Sequence, residues 1–141
     1  KRPFLFAVMG GDRNFGETVN LNLQYILRRV TNHGPPERYR NPYLRGIALI
    51  NAVESGQRDN KQHGASMRLA WTRPDQLLRA EIFGIPDFSH HDGVLRALVR
   101  YEASDELRVS VGYEWNHGAE DTLFGSRRTN NSVFLEFRFG Y

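Results

Sequence analysis

Leu107-Arg108-Val109-Ser110-Val111-Gly112-Tyr113-Glu114-Trp115-Asn116 carries an apolar side chain at every odd position and a charged, small or polar one at every even position. A repeat of two residues marks an extended chain, because successive side chains of a β-strand point to opposite faces. The segment therefore reads as a strand with one apolar face and one polar face.

The same period spreads outward in both directions. Val19, Leu21, Leu23, Tyr25 and Leu27 alternate with Asn20, Asn22, Gln24, Ile26 and Arg28. Ala65 to Trp71, Leu95 to Glu102 and Val133 to Tyr141 repeat the pattern. Stretches 3–9, 43–54 and 77–85 are strand-like but less cleanly two-sided. Helical spacing is nearly absent, so eight antiparallel strands are expected, most near the roughly 9–11 residues of a membrane-crossing strand. Ser104-Asp105-Glu106 and the turn around Arg73-Pro74-Asp75 are short connections, whereas 55–63, 86–93 and 118–131 are longer and polar. Short turns alternating with long loops describe an up-and-down meander with the two kinds at opposite ends. Residues 31–42, with Gly34, Pro35 and Pro36, break that rule as a long connection on the short-turn side.

Composition sets the outer bounds. The chain has 141 residues, 19 Lys+Arg against 16 Asp+Glu, 5 His and no Cys. One domain spanning 1–141 is expected at this length. The longest apolar run, Phe4 to Met9, is six residues. That is far short of the roughly 20 a spanning helix needs. Without cysteine there is no disulfide, thiolate metal site or thiol nucleophile. The sequence shows no secretory signal ahead of the first strand-like stretch, which leaves a processed chain or a piece of a longer one.

Alternation alone does not say whether the apolar face turns into a core or out into lipid, since soluble and membrane barrels share the period and invert its meaning. Two features favour lipid. The polar faces hold Arg28, Arg45, Arg68, Arg79, Glu81, Arg96, Arg100, Glu102, Arg108, Glu114, Glu136 and Arg138, expected to face a barrel lumen. Aromatics also sort towards strand ends: Tyr25, Tyr43, Trp71, Tyr101, Phe139 and Tyr141 towards the short turns, Tyr113 and Trp115 towards the long loops. Aromatic rings at both rims match the interfacial girdles of membrane barrels. The fold expected is all-β, an antiparallel up-and-down transmembrane β-barrel.

The last stretch, Val133-Phe134-Leu135-Glu136-Phe137-Arg138-Phe139-Gly140-Tyr141, resembles the C-terminal β-signal of Gram-negative outer-membrane β-barrel proteins. That resemblance implies that Val133, Leu135, Phe137, Phe139 and Tyr141 are read by the barrel-assembly machinery, and that the chain resides in the outer membrane among lipid and lipopolysaccharide. Gly112-Tyr113-Glu114-Trp115, Asp121-Thr122-Leu123-Phe124-Gly125 and Asn130-Asn131 resemble the closing hairpin of a family of large proteobacterial outer-membrane proteins of unassigned function. Gly11-Asp12-Arg13 with Val19 to Tyr25 is similar to a hairpin of the same family. Its members are much longer, which implies that these strands are the C-terminal part of a larger barrel.

Other chemistries are weaker. Arg and aromatics occupy opposite faces of the same strands, so no stacking nucleic-acid surface is expected. His33, His63, His90, His91 and His117 all read as connection residues. His90-His91-Asp92 shows no third metal ligand, and adjacent residues diverge, so no metal and no cofactor are expected. His117, Glu120, Asp121 and Ser126 share one loop without a recognisable catalytic spacing. No catalytic residues and no enzyme activity are expected. The leading expectation is a porin-like channel for small polar solutes with a mildly anion-favouring lumen. Alternatives are a closed structural or surface-interaction barrel acting through its long loops, and a soluble lipocalin-like carrier.

Overall fold

A computed structural model describes residues 3–31, 34–35, 38–54, 59–104 and 106–140. Seven strands form one sheet: β1 (Phe4–Phe15), β2 (Val19–Val30), β3 (Lys61–Thr72), β4 (Leu78–Asp87), β5 (Asp92–Glu102), β6 (Leu107–His117) and β7 (Ser132–Phe139). Each pairs antiparallel with its sequence neighbour, in the order β1 to β7. A helix, α1 (Pro42–Glu54), lies between β2 and β3, and a 3-10 turn, Gly125–Asn130, precedes β7. None of the described helices is long and apolar enough to cross a membrane.

The strand expected at 43–54 is α1, so the described sheet has seven strands rather than eight. Three local forces outweigh the apolar run. Pro42 sits in the first turn, where its missing N–H costs nothing. Asn41 caps that turn, its Oδ1 accepting from the Tyr43 N–H at 2.9 Å and its carbonyl from the Arg45 N–H at 2.9 Å. Leu44, Ile47 and Ala48 then follow at helical spacing. Tyr43 and Arg45 are thus helix residues outside the sheet, which corrects their assignment to a strand rim and a strand face.

Removing that strand also reverses the direction of β1 and β2 relative to β3–β7. The connections after β1, β3 and β5 (16–18, 73–77 and 103–106) then share one end of the sheet, and all are short. The connections after β2, β4 and β6 share the other end, and the whole of 31–60 belongs there. The apparent exception at 31–42 disappears. The connection at 86–93 shrinks, because β4 runs to Asp87 and β5 starts at Asp92, leaving the turn 88–91.

β1 extends past Met9 to Phe15 through residues that resemble a turn in composition. Gly10 lies so close to β2 that a Cβ there would sit 2.5 Å from the Leu23 carbonyl. Asn20 donates through Nδ2 to Asp12 Oδ1 (2.6 Å) and Asn14 Oδ1 (2.7 Å), which stitches this half of the hairpin. Gly16, at φ +62°, makes the reversal.

The register carries two faces across the sheet, apolar side chains predominating on one and polar ones on the other in β2–β7, whereas β1 departs from this with Arg13 on the apolar face and Phe4, Phe6 and Val8 on the polar one. One rung reads Arg13, Leu21, Leu69, Ile82, Ala97, Tyr113 and Val133; the next but one reads Phe15, Val19, Trp71, Ala80, Val99, Val111 and Leu135. Between them on the opposite face runs Asn20, Ala70, Glu81, Leu98, Gly112 and Phe134. Burial is inverted relative to a soluble sheet. In β6, Ser110 (3% exposed) and Asn116 (4%) are covered while Val111, Tyr113 and Trp115 are 42–45% exposed. Val30 and Ala70 are the only buried hydrophobic residues among those described, and both sit on the polar face. The sheet has an apolar surface where a soluble protein has a core. Among the described residues, β1 and β7 each pair on one side only.

Candidate functional site

The polar face is the first place to look for chemistry. Every strand charge singled out from the sequence except Arg45 shares it: Arg28 on β2, Arg68 on β3, Arg79 and Glu81 on β4, Arg96, Arg100 and Glu102 on β5, Arg108 and Glu114 on β6, Glu136 and Arg138 on β7. One rung crosses the whole sheet as Asp12, Asn22, Arg68, Phe83, Arg96, Glu114 and Ser132. Another reads Thr72, Arg79, Arg100, Ser110 and Glu136. Ion pairs cross between strands, Arg68 Nη2 to Glu81 Oε2 at 2.6 Å diagonally between neighbouring rungs and Arg108 Nη2 to Glu102 Oε1 at 2.8 Å directly across one rung. Arg138 lies 3.6 Å from Glu136.

Aromatic rings on this face support the arginines. Phe134 lies flat over Gly112, where a Cβ would fall 2.1 Å from its ring, and the Arg96 guanidinium stands 5.0 Å above the ring centre. Arg28 stacks on Phe4 at 4.5 Å. Such cation–π contacts hold a long side chain in one direction without neutralising it. The Nε atoms of Arg28, Arg100 and Arg108 are buried without a hydrogen-bond partner. Three aspartates share this face, Asp12, Asp87 and Asp92, so the arginine excess of the central rungs is offset along its edges.

The apolar face has its own feature, an open groove of about 1010 Å³ at the end carrying the long connections. Met9, Leu23, Tyr25, Met67, Leu95 and Trp115 wall it, and Gly11, Ala65 and Gly84 leave the dent between them. Tyr25 donates or accepts at 3.1 Å with His63 Nδ1, and Trp115 stacks on His117 at 5.3 Å.

The aromatics sort to both ends, with two changes. Trp71, Tyr101 and Phe139 lie near the short turns and Trp115 towards the other end, but Tyr113 lies mid-sheet and Tyr25 sits opposite Ala65 in the half nearer the long connections. The reversed direction of β2 moves Tyr25. Val133, Leu135, Phe137 and Phe139 line up on the apolar face of β7 and are 58–73% exposed. Tyr141 and His33 lie outside the described residues. His63 and His117 are strand residues, not connection residues.

The third polar centre escaped the sequence reading. Asp87, His90 and Asp92 each place a ligand-type atom within 4.8 Å of the others. Asp87 supplies the third group that His90-His91-Asp92 lacked. It was hidden because 86–93 looked like one long loop, in which Asp87 and Asp92 had no reason to meet. With the turn reduced to 88–91 they face each other across the final rung of the β4–β5 hairpin. Ser126 donates through Oγ to the Leu123 carbonyl at 3.0 Å. Glu120 pairs with Arg128, so the 118–131 connection uses its polar groups to fold itself.

No family model matches the chain, and neither does any curated protein or solved structure.

Proposed function

We propose that this sheet is part of the wall of a transmembrane β-barrel of the Gram-negative outer membrane, its apolar face against lipid and its charged face lining water through which small polar solutes diffuse. The observation that carries the reading is the two-faced register of β2–β6, clearest in β6, where the apolar side chains are exposed and Ser110 and Asn116 are covered. In hydrocarbon every backbone N–H and C=O needs a partner within the protein, and a laddered sheet supplies them strand by strand. A soluble carrier would cover the apolar side chains, not Ser110 and Asn116.

Further features agree with this placement. Short turns at one end, and the long connections 31–60 and 118–131 beside the turn 88–91 at the other, agree with the periplasmic turns and extracellular loops of such barrels. Trp71 and Tyr101 lie towards the short-turn end of the apolar face and Trp115 towards the other, the order that two aromatic belts require, while Tyr113 lies mid-sheet. The groove beside Tyr25 and Trp115 suits an acyl chain of outer-membrane lipid or lipopolysaccharide. The exposed β7 residues Val133, Leu135, Phe137 and Phe139 present the pattern that the assembly machinery reads. Arginines and aromatics share a face at three places, Arg28 on Phe4, Arg96 on Phe134 and Arg13 on Phe15, which corrects the expectation that they keep to opposite faces throughout.

Seven passes with one-sided edges favour a wall of a wide barrel over a closed, side-chain-filled one. A wide lumen stays hydrated, so Arg79, Arg96 and Arg100 attract anions while Asp12, Asp87 and Asp92 temper that bias. Diffusion is therefore passive and mildly anion-favouring. Planar-bilayer recording on the reconstituted full chain tests this. Stepwise conductance at high salt is expected, and replacing Arg96 and Arg100 together by Glu turns the selectivity towards cations. Intact insertion without conductance steps leaves the closed, loop-mediated barrel instead. Folding to a strand-rich form in buffer without detergent or lipid overturns the membrane placement.

A further inference from the structure

We propose that Asp87, His90 and Asp92 form a binding site for a first-row divalent cation such as Zn²⁺ or Mn²⁺, and that the ion fastens the 118–131 connection to the β4–β5 hairpin. The site stands apart from the transport reading and rests on its own observations.

The first is electrostatic. Asp87 and Asp92 are directly opposite on the last rung of the hairpin and on the same face. Like charges in that position repel, and a sheet tolerates them only with a positive partner. The turn supplies one. Asp87 Oδ1 accepts the Ser89 N–H at 2.8 Å and the His90 N–H at 3.4 Å, which folds His90 back over the rung. His91 takes φ +53° to complete the reversal. His90 Nδ1 then lies 2.7 Å from Asp87 Oδ2, and its Nε2 lies 2.7 Å from Asp59 Oδ2. Three carboxylates converge on one imidazole, so even a fully protonated His90 leaves the cluster net negative.

The second observation is a vacancy in the hydrogen bonding of the most enclosed member. Asp92 is 5% exposed. Its Oδ2 accepts the Phe124 N–H at 3.0 Å, whereas its Oδ1 is buried with no partner. An ionised oxygen in that condition is among the costliest groups a fold can hold, and the usual remedies are a donor or a metal. His90 Nε2, though close to Asp59, is not aligned with it as a hydrogen bond. Asp92 Oδ1 and His90 Nε2 are both buried without a hydrogen-bond partner, in residues whose ligand-type atoms lie within 4.8 Å of one another.

The donor set indicates the ion. Ca²⁺ and Mg²⁺ prefer oxygen alone, while two carboxylates and an imidazole suit Zn²⁺ or Mn²⁺. The position indicates the consequence. Asp92 already holds Phe124 through Oδ2, so an ion on Oδ1 charges and locks the residue that anchors the long connection. Gly118, the first residue of that connection, packs against the Asp92 side chain, where a Cβ would lie 2.4 Å from the Asp92 Cβ. The site is enclosed by the connection it fastens.

The test is titration of the chelator-stripped full chain, in detergent or lipid, with ZnCl₂ and MnCl₂ by calorimetry and equilibrium dialysis. One ion per chain is expected, with a higher unfolding temperature on loading. Asp92→Asn and His90→Gln are each expected to weaken binding by roughly tenfold or more and to erase the thermal gain. His91→Ala, on the adjacent exposed residue, is expected to bind as the parent does. Circular dichroism confirms that each variant is folded, and His90→Gln serves if Asp92→Asn does not fold. No binding of either ion by the parent overturns the site, as does binding that survives both Asp92→Asn and His90→Gln. Ca²⁺ binding as tight as Zn²⁺ binding, and indifferent to His90→Gln, overturns the role of the imidazole.

Discussion

The two ends of the sheet are built by different means. At the short-turn end the backbone closes the connections: Arg73 N–H donates to the Leu78 carbonyl at 2.8 Å, Gln76 N–H to the Arg73 carbonyl at 2.8 Å, and Ala103 N–H to the Leu107 carbonyl at 2.9 Å. Exposed side chains assist there, Asp75 Oδ1 accepting the Leu77 N–H and Ser104 Oγ the Leu107 N–H, whereas at the opposite end buried side chains are added to the backbone bonds. Thr122 Oγ1 donates to the Ala119 carbonyl at 2.8 Å and accepts from the Gly125 N–H at 3.1 Å. Asn131 Oδ1 accepts from the Asn116 N–H at 2.7 Å. Asp92, Asn116 and Thr122, all within 6% of full burial, belong to this end. An end closed by backbone tolerates many sequences, and one closed by buried side chains tolerates few.

Substitutions can break that contrast, beginning at the demanding end. Gly125 has no room for a side chain, since a Cβ would fall 1.9 Å from the Ala119 carbonyl oxygen. Gly125→Val is expected to destabilise the chain by about 2–3 kcal/mol, as overpacking does. Urea unfolding in lipid vesicles measures it, and a loss near zero would show that the 118–131 connection adapts freely. At the short-turn end Gln76 holds φ +60°, a conformation that costs a residue bearing a Cβ. Gln76→Gly is expected to be neutral or stabilising by about 0.5 kcal/mol in the same assay; a clear loss would mean that the Gln76 side chain matters there. The smallest effect is expected for Glu102 and Arg108, paired at 2.8 Å beside the 103–106 turn. A double-mutant cycle through Glu102→Ala and Arg108→Ala should give a coupling below about 1 kcal/mol, falling with salt.

What the sequence revealed follows the same division. Leu107 to Asn116 is readable because every position obeys the period, and the register across β5, β6 and β7 follows from it. Residues 43–54 were unreadable by period alone, since Leu44, Ile47, Ala48, Leu49 and Ile50 satisfy both patterns. The deciding signal was Asn41-Pro42, a cap and a first-turn proline. Gly10-Gly11-Asp12 imitates a turn, and only the close approach to Leu23 and the bonds from Asn20 keep it extended. Asp87 and Asp92 needed the true length of their turn before they could be seen together. The charged face was legible strand by strand, but its balance was not, because Asp12, Asp87 and Asp92 join it only once β1 and the β4–β5 turn are drawn correctly.

The replacement of one expected strand by α1 also decides sidedness. With an odd number of described strands, Pro3, whose carbonyl accepts the Thr31 N–H, and Gly140, whose N–H reaches the Glu106 carbonyl, stand at opposite ends of the sheet. In a bilayer, epitope labels placed beside these two residues would report from opposite compartments, one open to protease added outside the cell and the other shielded from it.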